Sequence, residues 1–333
     1  MGPLQLNGKK RKLNRLLLAF FLGVSILLAA GCGDFSAKAK VPSGEPEMSV
    51  VKSEVFPQMV TAYFATKDGF MVPVTYSINK PNSENVVKFA VEKLLSGPES
   101  KYLLRTIPAG TKLRNWHIDG HTVVVDFTKD FLKMDSRDQA VLAVNSLCLT
   151  LGNIPEVRDV QILVEGKVVE KIHGVTTDQP LEKQYINYSG EKNPEATYKV
   201  YFSDPYAVHM VPITLAASSG ADLPRKAVED LLHGPYTKGL GPTVMRGTKL
   251  LGLDVEDGTA TVNLSREALE YGGGSTAENM FVKSLLLTLG QFPEVKRVQI
   301  LIDGERVDIL PEGTEIGKPL EPPKFANLYD ESR

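Results

Sequence analysis

The nine residues AVEKLLSGP at positions 90–98 return almost unchanged as AVEDLLHGP at positions 227–235. Within each run the apolar residues follow a helical spacing as far as the Gly-Pro pair, which is a typical helix end. The repetition extends outward with an offset of 137–139 residues and includes GTKL at 110–113, LTLG at 149–152, PEV at 155–157 and VQIL at 160–163. The sequence therefore predicts two tandem copies of one domain, not a short-period solenoid.

Each copy is predicted to contain eight elements in the order β-β-α-β-β-α-β-β. In the first copy, strand-like runs at 60–65 and 71–77 flank a Lys-Asp-Gly turn. A helix follows over residues 86–95, where the apolar positions recur at helical spacing.

The second half of the copy carries its own turn and cap signals. A hairpin is predicted to turn at Asp119-Gly120, and Asp257-Gly258 repeats this signal. The second helix is predicted to open with the capping box Ser136-x-x-Gln139, matched by Ser275-x-x-Glu278. The run at 160–164 is predicted to turn back into a short closing strand.

These elements predict an α+β fold of two tandem homologous two-layer domains, with the helices packed on one sheet face. A chain of 333 residues has room for two such domains. The first domain, with an extended flap, is predicted over 57–192 and the second over 197–328. Asn193-Pro194 is the predicted boundary between them.

Composition excludes several classes of protein. The 38 Lys and Arg residues nearly balance the 40 Asp and Glu residues, so no strongly basic surface indicates nucleic-acid binding. Two cysteines are too few for a disulfide scaffold or a four-cysteine zinc site. The composition alone indicates a folded globular chain and no particular function.

The N-terminus reads as a targeting segment. A basic cluster at 9–15 precedes the uncharged run 16–30, which is short for a membrane span. The run ends in LAAGC at 28–32, which resembles a bacterial lipobox. Residues 1–31 are then a lipoprotein signal peptide, and Cys32 is the lipid attachment residue that receives acyl chains such as palmitate. Residues 32–56 are predicted to be a flexible tether. The alternative interpretation is an uncleaved single-span anchor in which Cys32 is incidental.

A lipobox followed by two such units resembles the GerM family of sporulation and germination lipoproteins, which carry tandem GerMN domains. The resemblance covers essentially the whole chain after residue 57 and rests on the LLSGP, GTKL, LTLG and PEV motifs. It implies a role in endospore formation, on the outer forespore membrane and facing the space between the mother cell and forespore membranes. It also implies protein partners among the SpoIIIA–SpoIIQ channel components. The family pattern carries no catalytic signature.

The duplication is an internal control on candidate sites, because a site required by the unit should occur in both copies. His117 and His121 lie four residues apart, but the Asp-Gly turn between them predicts that they face each other across a hairpin. Two histidines leave a metal coordination incomplete, so no metal site is predicted. Cys148 is predicted to be a small buried hydrophobic residue on the second helix rather than a nucleophile.

Three further features have some character of a site. The loop Gly272-Gly273-Gly274-Ser275 could cradle an anion at a helix start, but it lacks a P-loop lysine and reads better as a flexible loop. Asp126 and Asn263 share one strand position, so a catalytic carboxylate there would exist in one copy only. Pro73 and Pro212 lie in strand-like runs and indicate edge strands or bulges, and an edge strand is where another chain could pair.

The sequence predicts a membrane-anchored assembly factor that is not an enzyme and needs no cofactor. The alternative is a cell-envelope lipoprotein that binds a small ligand or peptidoglycan, which would require an aromatic-lined pocket between the copies. Trp116 is the single tryptophan, and its counterpart in the second copy is Leu253. A cell-wall hydrolase would need a paired acid or a zinc set, and neither is found.

Overall fold

The computed structural model describes residues 58–78, 83–270 and 274–329. The first repeat has the predicted order of elements. They are β1 (Gln58–Ala65), β2 (Met71–Ile78), α1 (Ser83–Ser96), β3 (Leu113–Asp119), β4 (Thr122–Phe127), α2 (Arg137–Leu151), β5 (Asp159–Val164) and β6 (Lys167–Val168). A 3-10 turn precedes α2, and the flap that follows contains β7 (Lys171–Ile172), β8 (Val175–Thr176) and β9 (Leu181–Glu182).

The second repeat follows the same order through seven elements. They are β10 (Ala196–Ser203), β11 (Met210–Ala217), α3 (Leu223–His233), β12 (Leu250–Glu256), β13 (Thr259–Leu264), α4 (Gly274–Leu289) and β14 (Arg297–Ile302). The predicted closing strand of this copy is reduced to one bridge between Ile302 and Glu305. Among the described residues, no helix has the length and apolar character that a membrane crossing requires.

Two main sheets build each repeat. In the first repeat, β1 and β2 form an antiparallel hairpin, while β3, β4, β5 and β6 form a separate sheet in that order, with β9 also paired to β5. The flap strands β7 and β8 form a small pair of their own. The β3–β4 pair is antiparallel, and β4–β5 is parallel because α2 carries the chain back between them. The second repeat has the same arrangement in β10–β11 and β12–β13–β14. The α+β fold of two repeated domains is thus confirmed.

The two helices of each repeat contact each other and the first strand of its hairpin. Their apolar faces close a core with residues of both sheets. Its largest fully buried side chains include Phe64, Phe127 and Leu147 in the first repeat and Phe202 in the second. Burial of this apolar surface is the main stabilising contribution to each domain.

Two local signals were read imperfectly from the sequence. In the first hairpin Asp119 pairs with Thr122, so the two loop residues are Gly120 and His121 rather than Asp119 and Gly120. In the second repeat the loop is Asp257-Gly258, as predicted. Both of its residues have positive φ, which fits the tight turns of hairpins.

The capping box is present in only one copy. The Ser136 hydroxyl accepts the Gln139 N–H at 3.2 Å, and Gln139 Oε1 accepts the Asp135 N–H at 2.8 Å. In the second copy α4 already includes Gly274, so Ser275 lies inside its first turn. The fully buried Glu278 carboxylate instead accepts the backbone N–H groups of Glu312 and Thr314. The prediction of a second capping box is therefore wrong.

Candidate functional site

The polar residues that recur in both repeats hold the fold. Gln161 of the VQIL motif donates to the carbonyl of Thr177, which lies in the flap, at 3.2 Å. Gln299 donates in the same way to Ile316 in the second repeat, also at 3.2 Å. Both side chains therefore tie a flap to the last long strand of their own repeat.

Asp126 and Asn263 each accept a hydrogen bond from the backbone N–H of a glycine. Asp126 Oδ1 accepts the N–H of Gly166 at 2.8 Å, and Asn263 Oδ1 accepts the N–H of Gly304 at 2.8 Å. The other Asp126 oxygen pairs with Arg114 at 2.5 Å. A neutral amide replaces the carboxylate in the second copy, so the shared role is to accept one backbone hydrogen bond beside a tight turn.

The LTLG motif fixes the ends of α2 and α4. The hydroxyls of Thr150 and Thr288 accept the N–H groups of Tyr63 and Tyr201, at 3.0 and 3.2 Å. A helix thus covers the outer edge of β1 and of β10. The motif's glycine permits a close crossing, because a Cβ on Gly152 would lie 2.9 Å from the Cβ of Lys183.

Two asparagines join the repeats. Asn187 Oδ1 accepts the Met71 N–H at 2.7 Å, and its amide donates to the carbonyls of Met71 and Pro212, both at 2.8 Å. Asn327 makes the mirrored set: its oxygen accepts the Met210 N–H, and its amide donates to the carbonyls of Met210 and Pro73. We call these two sets of hydrogen bonds, made by Asn187 and Asn327, the asparagine clamps. Because the sets are equivalent, β2 and β11 are related by an approximate twofold axis.

The asparagine clamps bear on the prediction that another chain could pair beside Pro73 and Pro212. Both prolines do lie in edge strands, β2 and β11. The expectation that another chain could pair there is wrong, because the flaps occupy both edges. The Thr75 N–H donates to the Asn327 carbonyl, and the Thr75 carbonyl accepts the N–H of Tyr329 in the C-terminal segment. On β11 the Thr214 N–H donates to the Ile186 carbonyl, so it is not free to pair with another strand.

The two histidines do not face each other, as the sequence had suggested. His117 lies opposite Val124, whereas His121 is in the turn, with Nδ1 2.9 Å from the carbonyl oxygen of Glu156. Across the described residues, no group of three or more His, Cys, Asp or Glu side chains is placed to hold a metal ion.

Cys148 is buried in the core of the first repeat, as predicted. Burial, with a smaller contribution from the charge of Asp159, raises the pKa of its thiol to about 12. The thiolate is the reactive form, so this cysteine is inert near neutral pH.

A polar cluster surrounds Asp230 of α3. Burial would raise the pKa of Asp230, but hydrogen bonds from Tyr198, Lys226 and Tyr236 outweigh it and lower the pKa. Asp204 shows the same balance: burial opposes ionisation, and the hydrogen bond with His209 at 2.8 Å helps to lower the pKa. The first repeat has Thr66 and Phe70 in place of Asp204 and His209.

A cleft of about 380 Å³ lies between the repeats. Its lining residues come from β1, the end of α2, the flap, the β10–β11 hairpin and the segment just after α4: Tyr63, Leu149, Asn153, Lys183, Gln184, Tyr185, Ile186, Thr197, Tyr198, Lys199, Thr214 and Gln291. The two lysines are its only ionisable groups apart from tyrosines. Trp116 packs on the core of the first repeat instead.

A protein-family model matches the chain twice, at residues 61–170 and 199–308; its description is "Germane: Sporulation and spore germination". The chain belongs to the Germane family. It is similar to the spore germination protein GerM of Bacillus subtilis (strain 168), with 25% identity over 286 residues, which are 80% of this chain and 77% of that protein. The recognition of a GerM-like protein from its motifs is thus confirmed.

A solved structure agrees with the fold of this Germane chain. The tandem GerMN domains of the sporulation protein GerM from Bacillus subtilis superimpose with a TM-score of 0.60 at 23% identity. The match covers 83% of this chain and all of that one. At this identity the comparison supports the architecture of two tandem domains.

Several residues predicted to matter in this Germane chain lie outside the described residues, and one pair of asparagines was not predicted. Cys32, the tether and the Gly272-Gly273 pair are outside the described part of the chain. Asn187 and Asn327 were not recognised from the sequence. They occupy matching places after the PLE motifs of the two flaps, but a one-residue difference in flap length hides the correspondence.

Proposed function

We propose that this protein is a lipid-anchored, non-enzymatic assembly or stabilising factor in endospore formation and germination. The observation that carries the proposal is the use of the recurring polar side chains: in both repeats they accept or donate hydrogen bonds that hold turns, flaps and the interface between repeats. A duplicated unit whose shared polar groups serve its shape is suited to presenting surfaces to partners. Membership of the Germane family supplies the sporulation context.

The surfaces best suited to docking are the strands β3 and β12. Each is the outer strand of its sheet, and within the described residues neither has a strand paired on its outer side. Ile118 on β3 and Leu251 on β12 expose about half of their surface, at 49% and 51%. Backbone groups without a strand partner, beside exposed apolar side chains, favour pairing with a strand of another protein, although the Leu253 carbonyl of β12 accepts a hydrogen bond from Arg225.

The anchor and the partners complete the proposal. Acylation of Cys32 would hold the protein on the outer forespore membrane, facing the space between the two membranes, and two or more acyl chains make such anchoring stable. The SpoIIIA–SpoIIQ channel components are the proposed partners, on the strength of the family resemblance. In this role the protein stabilises the channel between mother cell and forespore.

Replacement of Cys32 tests the anchor. We expect Cys32→Ala to leave the folded domains intact, to release the protein from the membrane fraction and to lower the yield of heat-resistant spores. Cys148→Ala is the matched cysteine control and should keep the protein on the membrane. Full membrane retention of Cys32→Ala would contradict the lipoprotein mechanism.

A second candidate is a cell-envelope lipoprotein that binds a small ligand or peptidoglycan. The observation that favours it is the cleft between the repeats, which three tyrosines help to line. Such binding could accompany an assembly role, because the cleft and the strands β3 and β12 use different residues.

A further inference from the structure

The cleft between the repeats concentrates positive charge. Lys183 and Lys199 both line it, and no aspartate or glutamate is among its lining residues. Lys183 Nζ donates to the neutral amide oxygen of Asn153 at 3.0 Å. Within the described part of the chain, neither ammonium group forms an ion pair with a carboxylate.

Contacts hold the backbone of Lys199 and the side-chain stem of Lys183. Gln291 Oε1 accepts the Lys199 N–H and its amide donates to the Lys199 carbonyl, both at 2.6 Å. The stem of Lys183 packs on Gly152, where a Cβ would come within 2.9 Å of it. The two side chains therefore start from positions set by the fold, which lowers the entropic cost of binding a ligand between them.

Both lysine side chains are exposed to solvent, and the surrounding protein disfavours their charges only in part. Partial desolvation by the surrounding protein lowers the pKa of both lysines. The charge of Lys199 lowers the pKa of Lys183 further. A bound anion would reverse both effects, because an opposite charge favours the protonated form.

The other copy shows that the fold does not need these charges. In the repeat alignment Lys199 corresponds to Thr61, and Lys183 corresponds to Pro322. Thr61 hydrogen-bonds Thr75 at 2.8 Å, and Pro322 packs on Gly290 as Lys183 packs on Gly152. The unit thus folds with neutral residues at both places.

We propose that the cleft binds a small solute through a doubly charged anionic group, a phosphate or a dicarboxylate, held between Lys183 and Lys199. Gln184 lines the same space, where its amide can hydrogen-bond the rest of the solute, whereas Gln291 and Thr214 are already bonded to the backbone of Lys199 and Ile186. This binding goes beyond the assembly role, since it would stand or fall independently of any protein partner.

Calorimetric titration of the full chain in detergent micelles tests the proposal, with inorganic phosphate and succinate as probes at constant ionic strength. We expect saturable binding of at least one anion: phosphate alone would indicate a phosphorylated solute, and succinate alone a carboxylate. Lys199→Thr, which installs the residue of the other copy, and Lys183→Gln should each weaken binding about tenfold or more. Lys167→Gln, at an exposed lysine outside the cleft, should bind like the wild type.

Two further measurements, proton uptake and thermal unfolding, distinguish loss of binding from loss of folding. At about pH 10, close to the ordinary lysine pKa of about 10.4, the wild type should take up protons on binding, because the anion raises the pKa of both lysines, and this uptake should shrink in the variants. Thermal unfolding without phosphate checks that each variant folds; Lys183→Gln carries the test if Lys199→Thr does not. No saturable binding of either anion to the wild type, or equal binding to the cleft variants, would overturn the proposal.

Discussion

At the scale of single residues, comparing the two repeats distinguishes polar groups that hold the fold in both copies from polar groups that occur in one copy only. Asp126 and Asn263 accept the same backbone hydrogen bond, although only one of them carries a charge. The sequence showed that the two share a position, and it left the role open. The hydrogen bond crosses 40 residues of chain, so only the folded structure identifies its donor, Gly166.

The loss of stability on substitution of Asp126 should therefore depend on the hydrogen bond rather than on the charge. We expect Asp126→Asn to cost less than about 1 kcal/mol in the free energy of unfolding, because the amide oxygen still accepts the Gly166 N–H and the lost pair with Arg114 is partly exposed. Asp126→Ala removes both interactions and should cost about 1–2 kcal/mol. Urea unfolding measures both values. Equal losses in the two variants would show that the carboxylate itself is needed.

The Asp230 cluster predicts a defined pH dependence. The folded state lowers the pKa of this carboxyl below its unfolded value of about 3.9, so its contribution is present above that pH and is lost as the pH falls through the folded pKa. Asp230→Asn should flatten the loss of stability between about pH 5 and pH 3. Urea unfolding across this range measures the slope, with the exposed Asp222→Asn as the control. An unchanged slope in Asp230→Asn would contradict the assignment.

At the scale of elements, local signals predicted the order of strands and helices well. They failed where a long-range contact decides the outcome. Ser275 and Glu278 match a capping box, yet Glu278 serves a turn more than thirty residues away. The short strands of the flaps were also missed, because two-residue pairings such as Lys171–Ile172 with Val175–Thr176 leave no periodic pattern.

The crossing of each flap over a helix end gives a test at this scale. Gly152→Ala and Gly290→Ala should destabilise the protein and increase hydrogen exchange in the flaps, with the larger effect at Gly290, where a Cβ would lie 2.2 Å from Pro322. Gly152 has φ of −68°, so its backbone angle allows alanine, and the opposing contacts are the Cys148 carbonyl oxygen at 2.7 Å and the Cβ of Lys183 at 2.9 Å. The control is Gly252→Ala, whose nearest neighbour would be 3.8 Å away, and it should be near neutral. Equal effects at all three sites would contradict the close crossing.

At the scale of the whole molecule, the repeats are joined by contacts that the sequence does not announce. Asn187 and Asn327 reach partners up to 254 residues away, and each satisfies three backbone groups of β2 and β11. The duplication, the α+β class and the family could be predicted from the motifs. The twofold arrangement could not, because it depends on flaps that carry little pattern of their own.

Asn327→Asp tests this arrangement with an isosteric change. The carboxylate cannot donate to the carbonyls of Pro73 and Met210, so we expect a loss of about 2–4 kcal/mol in the free energy of unfolding and a looser pair of repeats. Asn187→Asp should act alike, and the double variant should lose less than the sum. Urea unfolding and small-angle scattering give the readouts, with linker Asn193→Asp as the control. Independent, additive losses would contradict a shared interface.

We propose that the protein serves assembly through the strands β3 and β12. The most direct measurement is photo-cross-linking in sporulating cells, with a photoreactive amino acid at Ile118 or Leu251, followed by mass spectrometry of the products. The control position is Lys67, in the exposed turn between β1 and β2. The account predicts SpoIIIA–SpoIIQ channel components cross-linked from Ile118 or Leu251 and absent from the control. Recovery of wall fragments alone, or of no protein, would contradict it.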